Sequence, residues 1–138
     1  LNSEDIISYN SFFKLLIKQG EQPMSCTKIE TYASNHIPKT NDAYIQVLSP
    51  VEEKDFIVRK LTLKEGGMMP NHINKIAHQQ VALKGSAKVV IGDKVVEAKA
   101  GDYLYIPAGV PHYYEACLGE DYEFLCMITT VPDEITFL

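Results

Sequence analysis

The chain has 138 residues, 46% of them hydrophobic and 22% charged, which suffices to bury one core and is too little for two ordinary domains. Lys and Arg number 13 against 18 Asp and Glu, a net charge of -5, and no window interleaves basic with aromatic residues, so no nucleic-acid partner is expected. The longest apolar runs, FLCMI and the Lys14-interrupted FFKLLI, fall far short of the ~20 residues that span a bilayer, and residues 1–20 lack a signal-peptide pattern, so no membrane association and a cytoplasmic location are expected.

Residues 1–20 read as a helix. Ser3 suits its N-cap, Glu4 and Asp5 suit the positive end of its dipole, and Ile6, Tyr9, Phe13, Leu16 and Ile17 recur at helical spacing until Gly20. Ser8 and Asn10 interrupt the run, which also suits two short helices. The apolar stripe needs a surface to cover, either the body of the chain or a partner subunit. Residues 33–42, ASNHIPKTND, read as a loop, so that residues 1–42 form an N-terminal helix and arm and residues 43–138 a barrel.

From Cys26 onward the pattern changes to short segments rich in β-branched and aromatic residues and bounded by turn formers. CTKIETY, AYIQVL, DFIVRKLTL, QQVALKG, AKVVIG, KVVEAK, DYLYIP, HYYEA and YEFLCMITT each read as a strand. VVIGDKVVEA is a hairpin joined through Gly92 and Asp93, a pair suited to positive φ. So many short strands predict an all-β sandwich or barrel. Cys26, Cys117 and Cys126 are an odd number with no C-x-x-C pair, which argues against a disulfide framework and for buried thiols in a reducing compartment. A nucleophilic cysteine would need a base, and the only histidine near any of them in sequence is His112.

The chemistry concentrates in GGMMPNHINKIAHQQVALKG and GDYLYIPAGVPHYYEA. His72 and Asn74 are two apart, so on an extended chain they share a face. A turn over residues 74–77 returns His78 on the next strand, and His112 arrives from a third after a corner made rigid by Pro107 and Pro111. Three imidazoles converging in a barrel would bind a borderline divalent metal.

These segments resemble the paired motifs of the cupin superfamily, G-x5-H-x-H-x3-4-E-x6-G and G-x5-P-x-G-x2-H-x3-N. The second is met by Gly101, Pro107, Gly109 and His112, with Ala116 for the final Asn; the first by Gly66, His72, Asn74 in place of the second His, and His78 in place of Glu, ahead of Gly85. The resemblance implies a jelly-roll barrel, the double-stranded β-helix, over roughly residues 55–129. It also implies one divalent transition metal, of the Fe, Mn, Ni or Zn type, held by His72, Asn74, His78 and His112, with Asn74 as a weak ligand or a hydrogen-bond partner. Counting one more residue in the loop puts Gln79 at the Glu position, as in some small sugar-processing cupins; the distance to Gly85 favours His78, and strand alternation separates the two.

By the same alternation Tyr114 joins His112 and Gln80 joins His78 on the inner face, and with Met69 they are candidates for a substrate pocket. Tyr103, Tyr105 and Tyr113 read as sheet packing, Met68 as rim, Glu115 as outer face and His36 as surface. The function expected from the resemblance is metal-dependent and enzymatic, dioxygenase-like or isomerase- or lyase-like, on a small polar or anionic metabolite. The alternative is a non-catalytic small-molecule-binding barrel, sensor or accessory, with a degenerate metal site. Similar small cupins are commonly homodimers, with residues 1–32 of the arm expected to contribute to the interface.

Overall fold

Alternating burial along the chain builds one curled antiparallel sheet in the computed structural model, which describes residues 6–8 and 26–138. Its strands are β1 (Ile6–Ser8), β2 (Asn35–His36), β3 (Asn41–Val47), β4 (Phe56–Asn74), β5 (His78–Lys84), β6 (Ser86–Ile91), β7 (Lys94–Lys99), β8 (Tyr103–Ile106), β9 (His112–Ala116), β10 (Tyr122–Thr129) and β11 (Glu134–Phe137). The 19-residue β4 organises the barrel. Its first half pairs with β3 and β10, and its second half pairs with β9 and β11. One wall is therefore β3-β4-β10-β5-β8 and the other β11-β4-β9-β6-β7. Inward residues such as Ile45, Leu63, Val89, Phe124 and Tyr122 are fully buried between the walls, each worth roughly 1.5–3 kcal/mol relative to exposure.

The hairpin of β6 and β7 turns through Gly92 and Asp93 as expected, with Ile91 opposite Lys94. Only Gly92 takes a positive φ there, 61°. The segment CTKIETY is not a strand. It holds a single 3-10 turn, Ile29–Thr31, with no buried residue. Ile29 is the only aliphatic side chain it offers to a core, and its backbone is satisfied locally instead: Thr31 Oγ1 donates to Lys28 O at 2.7 Å, and Gln46 Nε2 donates to the carbonyls of Ile29 and Tyr32. The expected loop over residues 33–42 contains the short β2, paired with β3.

Within the expected N-terminal helix, Ile6–Ser8 form a strand against β11; the two isoleucines suit an extended backbone, and the edge of β11 offers it hydrogen bonds. The remainder of that helix prediction lies outside the described residues. Among the described residues no helix is long and apolar enough to cross a membrane.

Candidate functional site

The two motifs meet inside the barrel because β9 lies beside the second half of β4, with His72 opposite His112. Met69 and His72 both point inward although they are three positions apart, since a bulge between them shifts the phase of alternation. Asn74, two residues on, shares their face. The corner before His112 is tied to the same strand end, with Gly109 N donating to Asn74 O at 2.9 Å. On β5, His78 and Gln80 are buried and Gln79 is exposed, where its amide oxygen accepts from Tyr103 Oη at 2.7 Å. His78 therefore occupies the inward position of the motif.

His72 and His112 share one arrangement. Their Nδ1 atoms lie 2.7 Å from Pro70 O and 2.8 Å from Val110 O, and a carbonyl oxygen only accepts, so Nδ1 carries the proton in both rings. Nε2 of each is then the lone-pair nitrogen, as in imidazoles that bind metals. Burial lowers His72 to about 4 and His112 to about 3, which keeps both rings neutral near pH 7. Their ring centroids are 4.1 Å apart. Beside them Asn74 Oδ1 is buried with no hydrogen-bond partner, an acceptor whose desolvation costs about 1–3 kcal/mol until a cation or donor meets it. Two neutral imidazole nitrogens and one unsatisfied amide oxygen are a donor set that fits a borderline divalent ion.

His78 is committed elsewhere. Its Nε2 lies 3.0 Å from Asp133 Oδ2, and its Nδ1 lies 3.3 Å from Arg59 Nη2 and 3.5 Å from Cys126 Sγ. Burial alone would lower its pKa, but Cys126 and Asp133 outweigh burial and raise it, favouring the imidazolium. For Cys126 and Asp133 burial acts upward and is likewise outweighed, by Arg59 and His78 at the thiol and first by the His78 hydrogen bond at the carboxylate, so both are lowered. Asp133 Oδ2 also accepts from Asn74 Nδ2 at 2.9 Å, so one carboxylate holds two motif residues.

Gln80 and Tyr114, both buried, bond each other: Gln80 Nε2 donates to the phenol at 2.8 Å, and the phenol lies 3.0 Å from Gln80 Oε1. Met69 packs beside them. The cavity that these side chains line, with the motif histidines, Asn74, Arg59 and Cys126, leaves about 10 Å3 for the centre of a water-sized body, room for a single water or ion. Tyr103 and Tyr105 stand on the outer face, 60% and 51% exposed, because only Leu104 and Ile106 of β8 point inward; they do not pack the core. Cys26 is exposed and Cys117 partly so, which leaves Cys126 alone as the buried thiol among the three. Asp133, Arg59 and the position of Cys126 beside a base were not anticipated. In hindsight the inward alternation of YEFLCMITT carried a signal for Cys126.

A jelly roll in which two such motifs bring their histidines together defines the class: a cupin. A family model described as a cupin domain matches residues 59–128, half of the chain, and the protein belongs to that family. No curated protein sequence matches the chain. Among solved structures, a cupin-2 domain protein of Rhodospirillum rubrum, Rru_A2000, is similar with a TM-score of 0.74 at 20% identity, over 88% of this chain and 84% of that one. The polyketide cyclase RemF of Streptomyces resistomycificus is similar with a TM-score of 0.73 at 20% identity, over 80% and 82% of the two chains. KdgF of a Halomonas species follows at 0.65 and 13% identity, over 78% and 94%. At such identities the likeness is one of fold.

Proposed function

We propose that this cupin is a metal-dependent enzyme acting on a small polar or anionic metabolite. The observation that carries the reading is the matched pair His72 and His112, each fixed through Nδ1 to a backbone carbonyl and each neutral, beside the unsatisfied Asn74 Oδ1. These three atoms would hold the ion, of the Fe, Mn, Ni or Zn type. Bound there, it would supply Lewis-acid polarisation of a carbonyl or hydroxy-acid oxygen or, as iron, redox chemistry with dioxygen. In this reading His78 neighbours the ion without donating to it, since Nε2 is engaged by Asp133 and Nδ1 by Cys126.

The chain's own residues set what is bound. Three neutral donors compensate none of the ion's charge, so an anionic group is favoured. The narrow cavity admits the donor atoms of such a group rather than the body of the metabolite. Tyr114, held well above its ordinary pKa by burial, stays protonated and offers its hydroxyl with the Gln80 amide to orient a bound oxygen. The exposed apolar side chains Phe56, Tyr103 and Tyr105 support a homodimer as the working assembly.

Metal analysis of purified, reconstituted protein tests the reading. A stoichiometric ion that is lost in His72→Ala and in His112→Ala is expected. Wild-type protein that stays metal-free after reconstitution with each of the four ions would instead favour a non-catalytic binding barrel, a reading supported by the commitment of His78 to Asp133.

A further inference from the structure

Cys126 is the centre of a polar row that crosses three strands inside the barrel. Arg59 on β4 and Gln80 on β5 are its register partners. The sulfur accepts from Arg59 Nη2 at 3.0 Å and from Gln80 Nε2 at 3.8 Å, and it lies 3.5 Å from His78 Nδ1. Across the ring, His78 Nε2 meets Asp133 Oδ2 at 3.0 Å. The other carboxylate oxygen is fixed by the backbone N–H groups of Ile76 and Glu134 at 3.2 and 2.9 Å. Sulfur, imidazole and carboxylate therefore stand in the order of nucleophile, proton partner and orienting group, with a guanidinium against the sulfur. The three atoms proposed to hold the ion, on His72, Asn74 and His112, belong to none of these groups, although Asp133 Oδ2 also accepts from Asn74 Nδ2.

From these contacts we propose that Cys126 is a peroxide-reactive thiol, with His78 as its proton partner, Asp133 as the residue that positions the ring, and Arg59 as the cation that stabilises the thiolate. The co-reactant is hydrogen peroxide. The thiolate sulfur attacks one peroxide oxygen, and an S–O bond forms as the O–O bond breaks. The departing hydroxide takes the proton of the His78 imidazolium and leaves as water. Cys126 is oxidised by two electrons to the sulfenic acid, and the peroxide is reduced. Arg59 opposes the negative charge first on sulfur and then on the leaving oxygen.

The cavity selects the oxidant. Cys126 has no exposed surface, and the space beside it is on the scale of one water. Among two-electron oxidants hydrogen peroxide, with two heavy atoms, comes nearest that scale, whereas an organic electrophile is far larger. The same wall would keep the sulfenic acid from large thiols. Cys26, which is exposed, provides an internal reference for an ordinary thiol.

The test uses the full-length protein with a chelator present throughout, so that no iron-derived radicals form. After timed exposure to hydrogen peroxide, catalase removes the oxidant, the chain is unfolded in urea containing dimedone, and each cysteine peptide is assayed by mass spectrometry. Sulfenic acid is expected at Cys126 about tenfold faster than at Cys26, and N-ethylmaleimide is expected to label Cys26 and spare Cys126 until urea is added. In Asp133→Asn the rate at Cys126 should fall about tenfold while that at Cys26 is unchanged. A Cys126 that stays reduced, or reacts no faster than Cys26 in the wild-type chain, overturns the proposal, and this comparison stands even if the variant folds poorly. An Asp133→Asn chain that folds and keeps the wild-type rate at Cys126 removes Asp133 from it.

Discussion

Asp133 Oδ2 stands between two motif residues, 3.0 Å from His78 Nε2 and 2.9 Å from Asn74 Nδ2, and all three side chains are buried. The family motif has Glu where this chain has His78, so Asp133, from the turn before β11, supplies negative charge that the motif position no longer supplies. Removing that charge leaves the His78 imidazolium and the Arg59 guanidinium to share the Cys126 sulfur as their acceptor. Asp133→Asn is accordingly expected to cost about 3 kcal/mol, as for a buried pair broken on one side. Urea unfolding measures it, and a loss within a few tenths of a kcal/mol of zero would mean that the pair is neutral in the folded chain.

The site histidines predict how stability depends on pH in the chelator-treated protein. His72 and His112, lowered to about 4 and about 3 by burial, bind protons less readily when folded than the ordinary value of 6.5. Below pH 6.5 the unfolded chain takes up protons that the folded chain refuses, so stability falls with falling pH, by a total on the order of 8 kcal/mol once both have titrated. Asp133, lowered, adds a loss as pH drops from its ordinary 3.8 through its folded value. His78 acts in the opposite sense: raised, it contributes fully below 6.5 and loses its contribution as pH climbs through its folded value. Cys126, lowered to about 6 from its ordinary 9, adds stability as pH rises between those values and opposes the His78 loss, so the urea midpoint should fall steeply on the acid side of pH 6.5 and change less above it. The double variant His72→Gln, His112→Gln should flatten the acid limb, and an equally steep limb in that variant would assign it to other groups.

Much of the barrel is legible locally because a half-buried strand writes its own period. QQVALKG and HYYEA alternate cleanly, so the inward positions of His78, Gln80, His112 and Tyr114 follow from counting. The bulge that brings Met69 and His72 to one face breaks the count, and Pro70 within it is the only local hint. Asp133 lies in a short turn whose partner strand, β11, is only four residues long, with Ile135 as its one buried side chain; such a strand forms because β4 offers an edge, not because EITF demands it. The Arg59–Cys126–Gln80 row depends on the register between β4, β10 and β5, strands distant in the chain, and nothing within any one of them signals it. CTKIETY has strand composition but no apolar face, which is why composition alone misleads there.

Homodimer formation is expected from the outer faces. Phe56, Tyr103 and Tyr105 are each more than half exposed, and Phe56 and Tyr105 line one shallow groove with Met127 and Ile128. An apolar face of this kind is usually covered by another copy in a small barrel. Light scattering should give twice the chain mass, and Phe56→Asp with Tyr105→Asp should shift the protein to the monomer without unfolding it, since neither side chain is in the core. A wild-type chain that is monomeric at high concentration would contradict the assembly.

Gly85, the last residue of the first motif, tests whether that motif is maintained for fold as well as for ligand binding. It turns the chain from β5 to β6 with φ of 73°, in the left-handed region, and a Cβ built there would collide with the backbone carbonyl of Asp121. The first effect alone costs an alanine about 1–2 kcal/mol. The second adds to it because the obstacle is backbone: Asp121 is held in turn by its own carboxylate, which accepts from Glu65 N at 3.0 Å, so the loop before β10 cannot simply move aside. Gly85→Ala is therefore expected to lower stability by more than about 2 kcal/mol in urea unfolding, beyond the backbone term by itself. His78 and this turn lie at opposite ends of β5, so metal stoichiometry in the fraction that remains folded should match wild type. A variant that unfolds no more easily than wild type would show that the β5–β6 turn relaxes, and the glycine would then be dispensable for the fold.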